Sequence, residues 1–266
     1  MNTPYGTIDA GKPFDFGRTA ADYAKYRDIY PREFYQKIIN RNLCVKGQTV
    51  LDIGTGTGVL PRNLCSYGAN WTGIDLSEAQ IDTAKELSQG LNISYFAASA
   101  ENPPFADGSF DVITACQCFW YFDHKNTAQV FRRLLRNHGS LLLLCMEWLP
   151  FEDEIAAESE RLVLKYSPHW TGAEAVMHPI EIPACYTQYF EPVSHEEFRL
   201  QIPFTRKSWH GRMMACRGIG ASLTAPQIAA WEEEHQKLLA EIAPEHFTVA
   251  HYAAIAELKK RDGIIL

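Results

Sequence analysis

The sequence predicts an α/β protein built on a doubly wound, mostly parallel sheet. Between residues 48 and 147, five short apolar runs alternate with amphipathic stretches. Strands that alternate with helices imply parallel pairing through right-handed crossovers. Within that region VLDIGTGTGVLPRNL, 50–64, sets three glycines between an apolar run and a helical pattern. The next apolar run closes on an acid, in WTGIDLS at 71–77.

The first 43 residues carry two helix candidates, one around 19–27 and one starting at Pro31, where proline suits a first helical turn. The strands are QTVLDI (48–53), NWTGI (70–74), ISYFAA (93–98), FDVITAC (110–116) and SLLLLCM (140–146). The helices between them are VLPRNLCSYG after Gly58, SEAQIDTAKELSQ from Ser77 and HKNTAQVFRRLLRN from His124. Ser77 and Gln80 fit a capping box. Residues 99–109, with Pro103, Pro104 and Gly108, read as a loop.

Beyond 147 the pattern changes. EDEIAAESERLVLKY (152–166) predicts a helix, and 167–195 is rich in Pro, His and aromatics. HEEFRLQIPF (195–204) alternates as a strand does, KSWHGRMMACRGIG and PQIAAWEEEHQKLLAEI predict helices, and HFTVAHYAAIAEL (246–258) predicts a strand that closes the sheet. The linkers are short and apolar, so one domain is expected over 1–266. It divides into an N-terminal helical arm (1–43), a cofactor-binding core (44–147), a lid insertion (148–195) and C-terminal strands and helices (196–266).

At 266 residues and 46% hydrophobic, the chain is large enough for a sizeable core, yet no apolar run reaches the roughly 20 residues a membrane crossing needs. The N-terminus lacks a secretory layout, and seven cysteines without framework spacing predict reduced thiols in a cytoplasmic protein. A net charge of −7 disfavours nucleic acid and anionic membranes as partners. Cys116 and Cys118 are too close, and too poor in neighbouring ligands, to predict a metal.

Chemistry concentrates at the glycines. Gly54, Gly56 and Gly58 permit positive φ and close approach of a ligand to backbone amides at a helix start. Asp75, about 20 residues onward, can accept both hydroxyls of a ribose. A nucleoside cofactor is therefore expected. A dinucleotide fingerprint would read G-x-G-x-x-G, but here the third glycine comes one residue early and Val59 takes the sixth position. Asp52 would repel a pyrophosphate and attract an ammonium group. A cofactor ending in an α-amino acid fits better than NAD.

Four motifs, D-I-G-T-G-T-G at 52–58, G-I-D-L-S at 73–77, A-E-N-P-P-F-A-D-G-S-F-D at 100–111 and RRLLRNHGSLLLL at 132–144, carry a family resemblance. Over roughly 15–147 the sequence resembles class I S-adenosylmethionine-dependent methyltransferases, in the type 11-like branch that includes small-molecule enzymes. Downstream the likeness is of pattern only. The resemblance implies a Rossmann-like, seven-stranded sheet with helices on both faces and an antiparallel last strand. It implies S-adenosyl-L-methionine as cofactor and a small-molecule methyl acceptor. The amides of Thr55, Gly56 and Gly58 and the carboxylate of Asp52 would then face the methionine end. Asp75 would hold the ribose, Leu76 would pack on adenine, and Ser99 and Ala100 would meet the adenine edge. Many relatives carry Asp where Ser99 stands. Cys116 and Gln117 would border the methionine portion. FDFGRTAADYAKYRDIYP resembles an arm that closes over the cofactor, with Tyr23 and Arg27 on one helical face. By that likeness Arg27 would pair with the methionine carboxylate and Tyr23 would line the pocket; a surface pair is the alternative.

Asn102-Pro103-Pro104-Phe105 matches the catalytic signature of amino-methyltransferases, but there it follows strand four and here it precedes it. It reads as turn chemistry. After strand four come Trp120 and Tyr121, which would wall a substrate pocket or simply pack in the core. Methyl transfer from a sulfonium is an in-line displacement, so alignment supplies most of the acceleration and a base matters only if the acceptor must lose a proton. Glu147, after strand five, is the candidate base or acceptor contact, or a structural hydrogen-bonding residue, and Trp148 follows it. His169, His178, His195 and His210 are individually either bases or surface groups. The expected function is methyl transfer to a small molecule. The alternatives are a non-catalytic S-adenosylmethionine-binding module and an NAD-dependent oxidoreductase. Neither the acceptor nor the oligomeric state is written in these motifs.

Overall fold

Strand β1 (Thr49–Ile53) is buried at four of its five residues, as a strand must be when it is paired and covered on both sides. It pairs in parallel with β2 (Asn70–Asp75), from Thr49↔Asn70 to Ile53↔Ile74, and with β4 (Phe110–Cys116), from Val50↔Val112 to Ile53↔Ala115. The parallel pairing extends outward to β3 (Ile93–Ala97) on β2 and to β5 (Leu135–Trp148) on β4. These relations come from a computed structural model, which describes residues 8–262. With β6 (Phe190–Thr205) and β7 (His246–Lys260), the strands form one seven-stranded sheet in the order β3-β2-β1-β4-β5-β7-β6. Lys260 Nζ bonds the carbonyl of Leu135, Ser140 bonds Glu257, and the amide of Leu149 bonds the carbonyl of Ala250. The partners fall along β7 as they rise along β5, so the last strand runs antiparallel.

The helices are α1 (Ala20–Tyr26), α2 (Arg32–Ile39), α3 (Val59–Leu64), α4 (Glu78–Leu87), α5 (His124–Leu134), α6 (Glu154–Tyr166), α7 (Ala184–Thr187), α8 (Arg206–Met214) and α9 (Ala225–Ile242). Ser77 caps α4 by accepting from the amide of Gln80 at 3.4 Å, and Asp123 caps α5 through the amides of Lys125 and Asn126. Three differences from the sequence expectation stand out. Strand β5 starts at Leu135 directly after α5 and runs through Trp148, so Glu147 lies inside the strand rather than after it. Helix α8 stops at Met214, well short of Gly220; the amide of Gly220 turns back onto the carbonyl of Met214, which ends the helix. Helix α7 forms within 167–195, where composition had shown no element.

Contacts divide the chain into two compact units. One comprises 30–145, 178–197 and 254–262. Its core gathers Leu51, Ile53, Ile113, Phe131, Leu143 and Tyr186, all essentially inaccessible, and the Tyr186 hydroxyl bonds Thr127 Oγ1 at 2.7 Å. The other comprises 8–29, 146–177 and 198–253. There Trp209 and Trp231 are fully buried, and Trp209 donates to Ser159 at 2.9 Å. In the same unit Asp9 accepts from Arg217 and from both the amide and hydroxyl of Thr171.

Candidate functional site

The glycine loop follows β1 in the first of these units. Gly54, Gly56 and Gly58 take φ of +65°, +54° and +74°, the left-handed region that side chains avoid. Two of them are also fixed by close neighbours: a Cβ at Gly54 would lie 2.7 Å from Cys118 Sγ, and one at Gly58 would collide with the Tyr95 hydroxyl. Thr55 is buried, and its amide bonds the carbonyl of Ile74 at 2.9 Å. The loop is thus pinned to the end of β2.

Asp75 completes that link. Its Oδ2 accepts from the amide of Gly56 and its Oδ1 from the amide of Ser77, each at 2.9 Å. A carboxylate has about four lone-pair sites, so each oxygen keeps capacity for a hydroxyl donor. Burial pushes the Asp75 carboxyl up, against the amides of Ser77, Gly56 and Leu76, which favour its charge. Next to it Leu76 is 56% exposed, an apolar side chain open to a ligand face.

Asp52 is 2% exposed and accepts from Thr114 Oγ1 at 2.6 Å across the β1–β4 register. Burial pushes its carboxyl up to about 6, opposed by hydrogen bonds from Thr114 and Thr55 and assisted by the charge of Asp75. At the end of β4, Cys116 donates to the hydroxyl of Tyr30 at 3.4 Å. Gln117 adopts φ +60°, and its amide bonds the carbonyl of Leu144. A non-glycine residue held in that region marks local strain of the kind that collects at ligand sites.

On the adenine side of the expected site, Ala100 is buried and Ser99 Oγ accepts from the amide of Asn102 at 3.2 Å. That bond makes the Asn-Pro-Pro-Phe run part of a turn ahead of β4. Phe105 then packs on Phe110 and Phe96, at centroid distances of 5.1 and 6.0 Å. Trp120 is 38% exposed on a short 3-10 turn, whereas Tyr121 packs against the core cluster.

The structure therefore brings Asp52, Thr55, the three glycines, Asp75, Leu76, Cys116 and Gln117 to the C-terminal ends of adjoining parallel strands. Rossmann-type sheets bind ligands at that edge. Tyr23, Arg27, Glu147 and Trp148 belong to the other unit. There Arg27 sits 4.7 Å over the Tyr23 ring and donates to its hydroxyl at 3.4 Å. Glu147 is half-buried, while Trp148 is buried and donates to Glu160 at 2.5 Å. Sequence reasoning missed Thr114, Tyr95, Cys118 and Tyr30. Only Thr114 had a signal, since aligning FDVITAC beside TVLDI sets it opposite Asp52.

Comparison with known proteins finds likenesses over part of the chain. A family described as "Methyltransferase domain" matches residues 50–139. Over those residues the chain is similar to that family. A ubiquinone biosynthesis O-methyltransferase from Coxiella burnetii is 36% identical over 108 residues, 40% of this chain and 44% of that protein. The O-methyltransferase resE of Aspergillus sclerotiorum is 37% identical over 109 residues, 38% of this chain and 41% of that one. The chain thus spans less than half the length of these two curated relatives. The YcgJ protein of Bacillus subtilis shares the fold, with TM-score 0.52 and 21% identity over 88% of this chain and all of that one. The match covers 50–139, so the second unit lies wholly outside the matched region.

Proposed function

We propose that the chain binds S-adenosyl-L-methionine at the glycine loop and transfers its methyl group to a small-molecule acceptor. The observation that carries this reading is the doubly bonded Asp75 carboxylate, fixed beside three left-handed glycines. Its remaining lone pairs suit the two ribose hydroxyls, and Leu76 offers an apolar face for adenine. The amides at the start of α3 and the Asp52 carboxylate suit an α-amino acid end. Ser99 and Ala100 border the adenine edge in this reading, and Cys116 and Gln117 the methionine portion. Trp120 and Tyr121 stand as acceptor-facing groups in the same reading.

The cofactor would supply an activated methyl group on a sulfonium. The chain's own task is to align the acceptor with the carbon–sulfur bond and to exclude water. With the sulfur as leaving group, the cofactor would bring its own electrophilic methyl, so the chain need provide none. Titration calorimetry with S-adenosylhomocysteine tests the binding step, and methyl transfer from a radiolabelled donor tests the chemistry. Micromolar binding is expected; absence of binding by the intact protein overturns the reading.

A further inference from the structure

Just before the glycine loop, one row of residues crosses four parallel strands. Thr114 on β4 pairs with Asp52 on β1, Asp52 with Gly73 on β2, and Gly73 with Tyr95 on β3. Residues paired in register point to the same face of a parallel sheet. The glycine therefore leaves a gap on that face between Asp52 and Tyr95.

The tyrosine ring fills the gap. A Cβ on Gly73 would stand 2.7 Å from Tyr95 Cδ1 and 2.7 Å from Thr55 Oγ1, so ring and threonine close over the bare backbone of β2. The phenol oxygen reaches the start of α3, where a Cβ on Gly58 would collide with it. Ser88, at the end of α4, shares a 3.0 Å hydrogen bond with that oxygen, which fixes the far end of the ring. Ile81 and Ala84 of α4 join Tyr95 in one buried cluster. Tyr95 is 6% exposed although β3 is an edge strand and its other four residues are all open at least in part.

Asp52 is the charge behind this ring. Thr114 and Thr55 hydrogen-bond its carboxyl, and Asp75 repels its charge. The thiols of Cys44 and Cys118 are pushed up chiefly by their own burial, with the charge of Asp52 adding to each. Burial likewise pushes the Tyr95 phenol up to about 12, opposed by the Ser88 bond and Arg62, and assisted by Asp52 and Cys65. Thiols and phenol so shifted are neutral at pH 7, and water entering the gap would solvate the carboxylate instead.

We infer that Tyr95 is a positioning residue of the donor site: its ring, laid through the gap at Gly73, keeps water from Asp52 and supports the start of α3. The role rests on the S-adenosylmethionine reading for its donor, whereas the shielding of Asp52 stands without it. Tyr95 acts through Asp52 and Gly58 rather than on the donor itself.

The test follows the Asp52 carboxyl carbon by NMR between pH 4 and 8, in the full chain with isotope-labelled aspartate. The signal is assigned by its loss in Asp52→Asn. In the parent it should titrate near 6, where burial holds the carboxyl. Tyr95→Ala opens the gap, so the midpoint should drop by about one pH unit or more, toward the ordinary aspartate value near 4. Tyr95→Phe keeps the ring and gives up only the Ser88 bond, so the midpoint should stay near that of the parent. If Tyr95→Ala does not fold, Tyr95→Leu keeps apolar bulk without the reach to Gly58 and should move the midpoint the same way by less. Calorimetry with S-adenosylhomocysteine reads the consequence for the donor. In the alanine variant the pH at which affinity falls should move down with the carboxyl, and affinity at neutral pH should drop about tenfold or more. An Asp52 midpoint near 4 in the parent, or one equal in parent and Tyr95→Ala, overturns the inference, because a ring that merely fills the core would cost stability without moving that midpoint. A midpoint that moves in a chain that does not bind S-adenosylhomocysteine keeps the shield and overturns the cofactor reading instead.

Discussion

Asp75 Oδ2 accepts the amide of Gly56 at 2.9 Å, tying the acid at the end of β2 to the middle glycine of the loop that follows β1. One carboxylate thereby shapes the loop, and in the proposed reading it also holds the ribose. Asp75→Ala should lose both roles, and Asp75→Asn only part of them, because an amide oxygen still accepts. The expected loss of S-adenosylhomocysteine affinity is about 2–3 kcal/mol for alanine and roughly half that for asparagine, from bonds to a charged group. Calorimetry measures it, and hydrogen exchange at Gly56 and Ser77 should quicken in the alanine variant. Unchanged affinity in a folded alanine variant would remove the basis of the cofactor assignment.

Asp52 predicts a pH dependence of donor binding. Burial holds its carboxyl up to about 6. A donor ammonium pairs only with the ionised form, so affinity should fall as pH drops through about 6 and level off above it. Asp52→Asn should bind more weakly and with no step between pH 5 and 8. Calorimetric titrations across that range decide the matter, and an asparagine variant that retains the step would assign it to another group. Without ligand the sign reverses: the elevated carboxyl pKa makes ionised Asp52 a cost to folding that is absent below the unfolded value near 4 and complete above 6.

Gly58 should resist any side chain. Its φ of +74° disfavours alanine, and the space a Cβ needs is held by Tyr95, whose hydroxyl is itself bonded to Ser88 at 3.0 Å. Left-handed strain and overpacking together suggest that Gly58→Ala costs about 2–4 kcal/mol. Urea denaturation should show it. Because the collision needs the tyrosine ring, Gly58→Ala combined with Tyr95→Ala should cost less than the sum of the two single changes.

The parallel half of the sheet was legible because each of its strands is a short run rich in apolar residues closed by a turn residue or a cap, even in β3, where Tyr95 alone of five residues is buried. The capping serine at 77 and the acid at 75 likewise carry their roles in sequence-local form. The rest depends on neighbours distant in the chain. Nothing near Gly58 announces Tyr95, 37 positions away. The overextended helix at α8 shows the same limit, since KSWHGRMMACRGIG keeps helical spacing past Met214 and only the glycine-rich return of Gly220 onto Met214 stops it. Asn-Pro-Pro-Phe was the opposite case, a motif whose position relative to β4 mattered more than its letters.

The two buried histidines predict sensitivity to acid. His251 and His235 are both pushed down to about 3, each mainly by burial, with the charges of Arg212 and Arg27 adding at His251 and that of His210 at His235. His235 lies stacked between Trp231 at 4.5 Å and His210 at 5.1 Å, so a charge there has nowhere to be solvated. In the unfolded chain both rings protonate near 6.5, so below that pH the unfolded state binds more protons and stability falls. Each ring can remove up to about 1.4 kcal/mol per pH unit between 6.5 and 3. Asp52 and Asp75, both raised by burial, work the other way, which partly offsets the loss below about 6. The denaturation midpoint should therefore fall most clearly as pH drops from 6.5 toward 6. His235→Gln, which does not titrate, should be less stable at neutral pH but should lose clearly less of its stability on acidification than the parent does. Parallel denaturation curves at five pH values measure both slopes, and equal slopes would mean that His235 is not the group that titrates.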